Sequence, residues 1–136
     1  MSTDDKHILK TREMLFQSDD WISADDLDRR LRKIGFMPTA SELQLQGRVF
    51  GLHRNGINYF AAYQFGADCE PLPIIREILA RLEISDCWAI AAWFHFANSW
   101  ISPSTPGSPP IAPKNALNRR DEVLLAAERF GKTYVA

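Results

Sequence analysis

One dipeptide constrains this chain more than any other feature. Asn55-Gly56 tolerates the positive φ angles of a two-residue type I′ turn, and it separates two short runs, Arg48 to Arg54 and Ile57 to Ala62. The pattern predicts a β-hairpin. In the register that such a turn sets, Phe50 and Leu52 share a face with Tyr59, and His53 stands opposite Asn58. The hairpin is thereby expected to carry one apolar face and one largely polar face, so it must pack on another element.

Two capped helices precede it. Ser23 is a good N-cap with Asp26 at the third helical position, and Ile22 and Leu27 are spaced for a hydrophobic staple. Leu27, Leu31 and Ile34 follow at helical spacing, and Gly35 is a natural stop. Thr39 and Glu42 repeat the capping signature for a short helix from Ala40 to Gln46, which Gly47 ends. Two capped helices on a tight turn, followed by a hairpin, are the sequence form of a helix-turn-helix with a wing. Ahead of them, Ile8, Leu9, Leu15 and Phe16 support a helix from about Asp5 to Gln17, closed by the polar turn Ser18-Asp19-Asp20.

The second half reads as helical. After a connector from Tyr63 to Glu70, Pro71 and Pro73 open a helix to about Leu82 with Leu72, Ile75, Leu79 and Leu82 on one stripe. Ser85 is placed to cap the next helix, Asp86 to Ala97. Its Trp88, Ile90, Trp93, Phe94 and Phe96 occupy nearly the whole circumference and predict the core of this half. In Ser102 to Pro110, five of nine residues are proline or glycine, which excludes regular structure. Pro113 to Leu117 reads as one helical turn. Asn118 is expected to cap a last helix from Arg119 to Phe130, with Gly131 at its end. The expected fold is mainly α with one β-hairpin: a winged helix-turn-helix-like unit over 1–65 and a small helical domain over 71–136.

Composition bears on function mainly by exclusion. With 46% hydrophobic and 24% charged residues the chain is globular in character and not disordered. A net charge of −1 gives no overall attraction to nucleic acid, so any DNA contact must come from a local basic face. Cys69 and Cys87 lack metal-type spacing and are expected as reduced thiols in a cytoplasmic protein. The acidic start, Ser2-Thr3-Asp4-Asp5, does not resemble a signal peptide, and the apolar stretch Cys87 to Phe96 is far shorter than a membrane span. No glycine-rich phosphate loop, Gly-x-Ser-x-Gly elbow or His-Glu-x-x-His is present, and His7, His53 and His95 show no converging partners. The expectation is a non-enzyme with no catalytic residue, cofactor or metal.

Several residues are candidates for contact with a partner. Arg29, Arg30, Arg32 and Lys33 suit phosphate contact at the rim of a helix-turn-helix, and equally suit a solvated face balancing Asp25, Asp26 and Asp28. Ser41, Gln44 and Gln46 are types that read base edges, and are also common on surfaces. In the wing, Arg48 and Arg54, with His53 and Asn55, are placed either for backbone phosphate or for an ordinary solvent-facing turn. Trp100, after Asn98-Ser99 and before the proline-rich loop, is placed as a half-exposed binding anchor.

Three stretches share a pattern with a known family. Trp93-Phe94-His95-Phe96-Ala97-Asn98-Ser99-Trp100-Ile101, Pro113-Lys114-Asn115-Ala116-Leu117 and Glu122-Val123-Leu124-Leu125-Ala126-Ala127 resemble the C-terminal toxin-binding domain of the Xre/MbcA/ParS-type antitoxins. There a tryptophan helix runs into an asparagine-containing turn, a proline-started turn and a final helix. Tyr63-Gln64-Phe65 and Pro71-Leu72-Pro73 are similar to the connector that leads from a wing into this domain, so the likeness spans Val49 to Phe130. The resemblance implies a cytoplasmic bacterial antitoxin that sequesters a cognate toxin, often of the NAD-degrading RES type, and represses its own operon. Toxin contact would fall to Trp100, Arg119, Arg120 and the tail around Tyr134. Operator DNA would meet Arg29, Arg30, Ser41, Gln44, Arg48 and Arg54. A homodimer is expected, because one short recognition helix is a weak reader of DNA. The alternative is a stand-alone transcription regulator whose C-terminal helices only dimerise.

Overall fold

The hairpin forms around Asn55-Gly56, both at positive φ (53° and 78°), but it is not a lone ribbon. In the computed structural model, which describes residues 3–103 and 105–135 (side chains 6–103 and 105–131), a third strand joins it. The chain runs α1 (Thr3–Ser18), β1 (Trp21–Ser23), α2 (Ala24–Lys33), α3 (Ala40–Leu45), β2 (Gly51–Arg54), β3 (Ile57–Ala61), α4 (Pro73–Leu82), α5 (Cys87–His95) and α6 (Arg120–Val135). Single 3-10 turns lie at Ala62–Gln64 and Pro113–Asn115. The architecture is mainly α with one small antiparallel sheet in the order β1-β3-β2. His53 pairs with Asn58 and Leu52 with Tyr59, the expected register, while Ile22 of β1 pairs with Phe60.

That sheet corrects the expectation of a single apolar face. Ile22 and Phe60 lie on one side and join Leu27, Leu31, Ala40, Leu43 and Val49 in a small core beneath α2 and α3. Phe50, Leu52 and Ala61 enter the larger core built from α4, α5 and α6. Both faces are covered because successive strand residues point to opposite sides and both sets are apolar here. The larger core takes residues from either side of the 65/71 boundary.

The local signals act as their chemistry requires. The Ser23 hydroxyl accepts the Asp26 N–H at 3.2 Å, and Thr39 with Glu42 completes a reciprocal capping box. Asp28 of α2 accepts the Ala40 N–H at 2.7 Å, which ties the start of α3 to α2 and fixes the angle of the turn. Gly35 takes a φ of +75°, the left-handed stop expected of it.

Four expectations in the helical half need correction. The cap of α5 is Asp86, not Ser85, since its carboxylate accepts the Trp88 N–H at 3.3 Å. Phe96 is 48% exposed and not core, because α5 ends at His95 and the chain turns away before Phe96 reaches the interior. At α6, the Arg119 carbonyl and not that of Asn118 accepts the first helical bond, from the Val123 N–H. Gly131 lies inside α6, where a Cβ would stand 2.5 Å from the Arg81 carbonyl oxygen of α4. That glycine marks a close helix crossing and not a helix end.

Gln64 is the one polar side chain among the described residues that is fully buried. Its amide oxygen accepts the Phe50 N–H at 2.8 Å, and its amide nitrogen donates to the carbonyls of Phe50 at 3.0 Å and Ala61 at 3.3 Å. The side chain therefore pairs both backbone groups of Phe50 as a neighbouring strand would, just before β2 begins.

Candidate functional site

On the α2–α3 unit most of the candidate DNA-contacting residues already have protein partners. Arg29 pairs with Asp26 on the same helix. Arg54 pairs with Glu13 of α1 at 2.5 Å and stacks over Phe16, with its guanidinium carbon 4.2 Å from the ring centre. Arg48 lies over Phe36 at 5.4 Å. Gln44 accepts a hydrogen bond from Asn58 of β3 at 2.9 Å, and Gly51 leaves the room for that approach. Ser41 and Arg30 are exposed, and Arg30, Arg32 and Lys33 make no ion pair among the described residues. Arg30 and Lys33 line a shallow cleft of about 530 Å³ against the 65–69 loop. The exposed residues of α3 include an apolar one, Leu45, at 87% exposure.

The toxin-contact set of the helical half is divided by the fold. Trp100 is 51% exposed, its N–H donates to Asn98 Oδ1 at 2.9 Å, and Arg129 of α6 lies over its ring at 5.2 Å. The asparagine thus folds the turn that brings the indole to the surface. Arg119 donates to the Ser102 carbonyl at 2.5 Å and to Glu122 at 3.2 Å, pinning the start of the proline-rich loop onto α6. Arg120 faces α4, where it pairs with Glu77. The Tyr134 side chain lies outside the described residues. Residues 102–103 and 105–110 form no helix or strand, in keeping with their composition.

A polar junction escaped sequence reasoning. Lys114 donates to Asp19 at 2.7 Å and to His95 Nδ1 at 3.1 Å, and Asp19 Oδ2 lies 3.9 Å from the same ring nitrogen. All three side chains are largely buried, where the end of α1, the end of α5 and the 113–115 turn meet. As an acceptor from Lys114, His95 Nδ1 must be unprotonated, so its proton sits on Nε2. Burial and the Lys114 charge lower the His95 pKa, and Asp19 opposes them. Burial also raises the Tyr63 phenol, with the Asp19 charge adding to it. Only the three-dimensional approach of residues 95 positions apart could have revealed this cluster.

The remaining reactive groups are quiet. The Cys87 thiol is raised by burial and then by the Asp86 charge, against lowering backbone hydrogen bonds, so it is not an activated thiolate. Among the described residues no three His, Cys, Asp or Glu side chains converge as metal ligands. No helix among them is long and apolar enough to cross a membrane.

The apolar surface of the helical half is more distinctive. Ala89 and Ala92 of α5 lie on the floor of two clefts. One, about 380 Å³, is walled by His7, Ile8 and Arg12 of α1 with Trp88. The other, about 360 Å³, is walled by Trp93, Phe96 and Phe130. Comparison with known proteins finds no matching family model, no matching curated protein and no matching solved structure.

Proposed function

We propose that this chain is an antitoxin-like binding protein of the bacterial cytoplasm that neutralises a cognate toxin by steric cover, without catalysis of its own. The observation that carries the reading is the exposed aromatic pair Phe96 and Trp100 at the end of α5, beside the pinned proline-rich loop. Large aromatic side chains left at the surface near a concave apolar region are the usual anchors of protein interfaces. Arg129 lies over the Trp100 ring, and Arg119 holds Ser102, at the start of the loop that follows it. The polar junction at His95 supports the same reading as a structural clamp, since Lys114, Asp19 and His95 are spent on one another where α1, α5 and the 113–115 turn meet.

Autoregulation through operator DNA belongs to this proposal, with a homodimer presenting two α3 helices. Its support is Arg30, Arg32 and Lys33, exposed and without an ion pair among the described residues, and the exposed Ser41 of α3, while Arg54 and Gln44 serve mainly to fasten the wing to α1 and α3.

Co-expression of the tagged chain with the product of the adjacent gene, followed by affinity purification, tests the main reading. A stable complex is expected, and Trp100→Ala should lower its affinity at least about tenfold while leaving thermal stability nearly unchanged. Failure to form any complex, with no effect on the neighbour's toxicity, overturns it. A gel shift with the upstream region at low salt tests the DNA arm, and unretarded DNA removes that arm.

A further inference from the structure

We propose that the cleft between the last turn of α2 and the 65–69 loop is a binding site for a small organic carboxylate with an apolar body, a reading that goes beyond toxin binding and does not rest on it. The cleft measures about 530 Å³, within the range of small-molecule sites. Arg30, Lys33 and Ile34 line its α2 side, at the three- and four-residue spacing that puts side chains on one helix face. Ile22 of β1, itself buried, and Phe65 supply apolar lining. The facing loop is preformed. The Gly66 N–H donates to the Glu70 carbonyl at 2.8 Å, the Cys69 N–H donates to the Gly66 carbonyl at 2.9 Å, and Phe65 and Pro71 form a β-bridge. Cys69 takes a left-handed φ of 67° within that loop.

Charge decides what such a hollow would hold. Arg30 and Lys33 make no ion pair among the described residues, whereas Arg29 and Arg54 are each spent on a carboxylate. The dipole of α2 favours cations in its last turn, which accounts for their position but not for the apolar hollow beside them. Asp68 lines the same cleft and pairs with neither cation. The backbone N–H groups of Ala67 and Asp68 also take no acceptor among the described residues. The lining thus carries two positive charges against one negative. A dianion such as phosphate would be repelled by Asp68, and a nucleic-acid backbone has nothing apolar to set against Ile22 and Phe65. A monocarboxylate meets both conditions. Its two oxygens match the planar fork of Arg30, Lys33 adds a point charge, and an apolar body covers Ile22, Ile34 and Phe65.

The test titrates the full ¹⁵N-labelled chain with naphthoate, with its neutral isostere naphthamide, and with inorganic phosphate. A saturable response to naphthoate is expected, with amide shifts concentrated at Ile22, Phe65 and Cys69. Naphthamide and phosphate should each bind at least about tenfold more weakly, since each lacks one half of the match. Arg30→Gln combined with Lys33→Gln should weaken naphthoate by about the same factor while thermal unfolding stays nearly unchanged, as both side chains are exposed. Asp68→Asn should tighten it. Naphthamide binding as tightly as naphthoate overturns the proposal, because the hollow would then select apolar bodies alone. Phosphate binding as tightly overturns it too, because the cations would then act without the apolar lining. Lack of saturation, shifts centred elsewhere or an indifferent double variant do the same. The result is separable from the function proposed above: a toxin complex that fails to form leaves the naphthoate response standing, and naphthoate that fails to bind leaves the toxin reading standing.

Discussion

The α2–α3 unit and the α5–α6 half differ in what they do with their arginines, amides and aromatic rings. Around α3 and the hairpin, arginines and amides are turned inward onto neighbours: Arg54 onto Glu13 and Phe16, Arg48 onto Phe36, Gln44 onto Asn58. Around α5, large apolar side chains that would complete a core are left outward, as Phe96 and Trp100 are. The first pattern spends polar groups on rigidity. The second leaves apolar area uncovered, which costs solubility unless something covers it. The contrast teaches that residue type alone misleads about which side chains stay free at the surface and which are spent on neighbours. Both regions leave apolar area uncovered, Met37 and Leu45 at 89% and 87% exposure on the α2–α3 side and Phe96 and Trp100 at 48% and 51% on the α5 side, and the difference is that the second pair is aromatic.

Four measurements would break or sharpen that contrast. The largest effect is expected for Phe60→Ala, which empties the centre of the small core and should cost about 3–5 kcal/mol in urea denaturation. If the α2–α3 unit then melts while the α5–α6 half stays folded, the two regions are independent and the contrast is one of separate bodies. A single shifted transition shows that they stand or fall together. Next, Gln64→Leu should cost about 2–3 kcal/mol, because it strands the N–H and C=O of Phe50 in an apolar setting. A neutral result would mean that water reaches Phe50.

Gly131→Ala is the third. In an open helix this change stabilises by about 0.5–1 kcal/mol, but here the methyl group meets the Arg81 carbonyl and should destabilise by about 1–3 kcal/mol. A gain in stability would show that the α4–α6 crossing is looser than its geometry. The smallest effect concerns pH. The His95 pKa is lower in the folded chain than its ordinary value of 6.5, so the folded state prefers the neutral ring. Its contribution is fully present above pH 6.5 and is lost as the pH falls through the lowered folded value. Melting temperatures measured across that range should decline on acidification, and His95→Gln should flatten the decline. An unchanged slope in the variant would assign the acid sensitivity to other groups.

What could be read in the sequence was what acts over short range. Ser23, the Thr39–Glu42 pair and Asn55-Gly56 each work through bonds a few residues apart, and each appears where its chemistry places it. The three-residue strand Trp21–Ser23 was not legible, because so short a run has no periodicity and gains its structure only by pairing with β3. Gly131 looked like a helix stop, since a glycine near a chain end gives no local sign of the backbone that crosses it. The candidate site divided in the same way. Trp100 stood out by its place beside the prolines. Ala89, Ala92 and Arg12 did not, as ordinary residues whose meaning comes from what lies across from them.

The position of β3 between two cores has a consequence for how such a chain can be dissected. A strand whose alternate residues serve different interiors is a party wall, and neither room can be demolished alone. Cutting the chain in the 66–70 loop would strip the cover from Phe50 and Leu52 on one fragment and open the interior of the other. Fragments made there should aggregate or stay molten, and a shorter version for binding work is better sought by trimming the ends of the chain than by halving it.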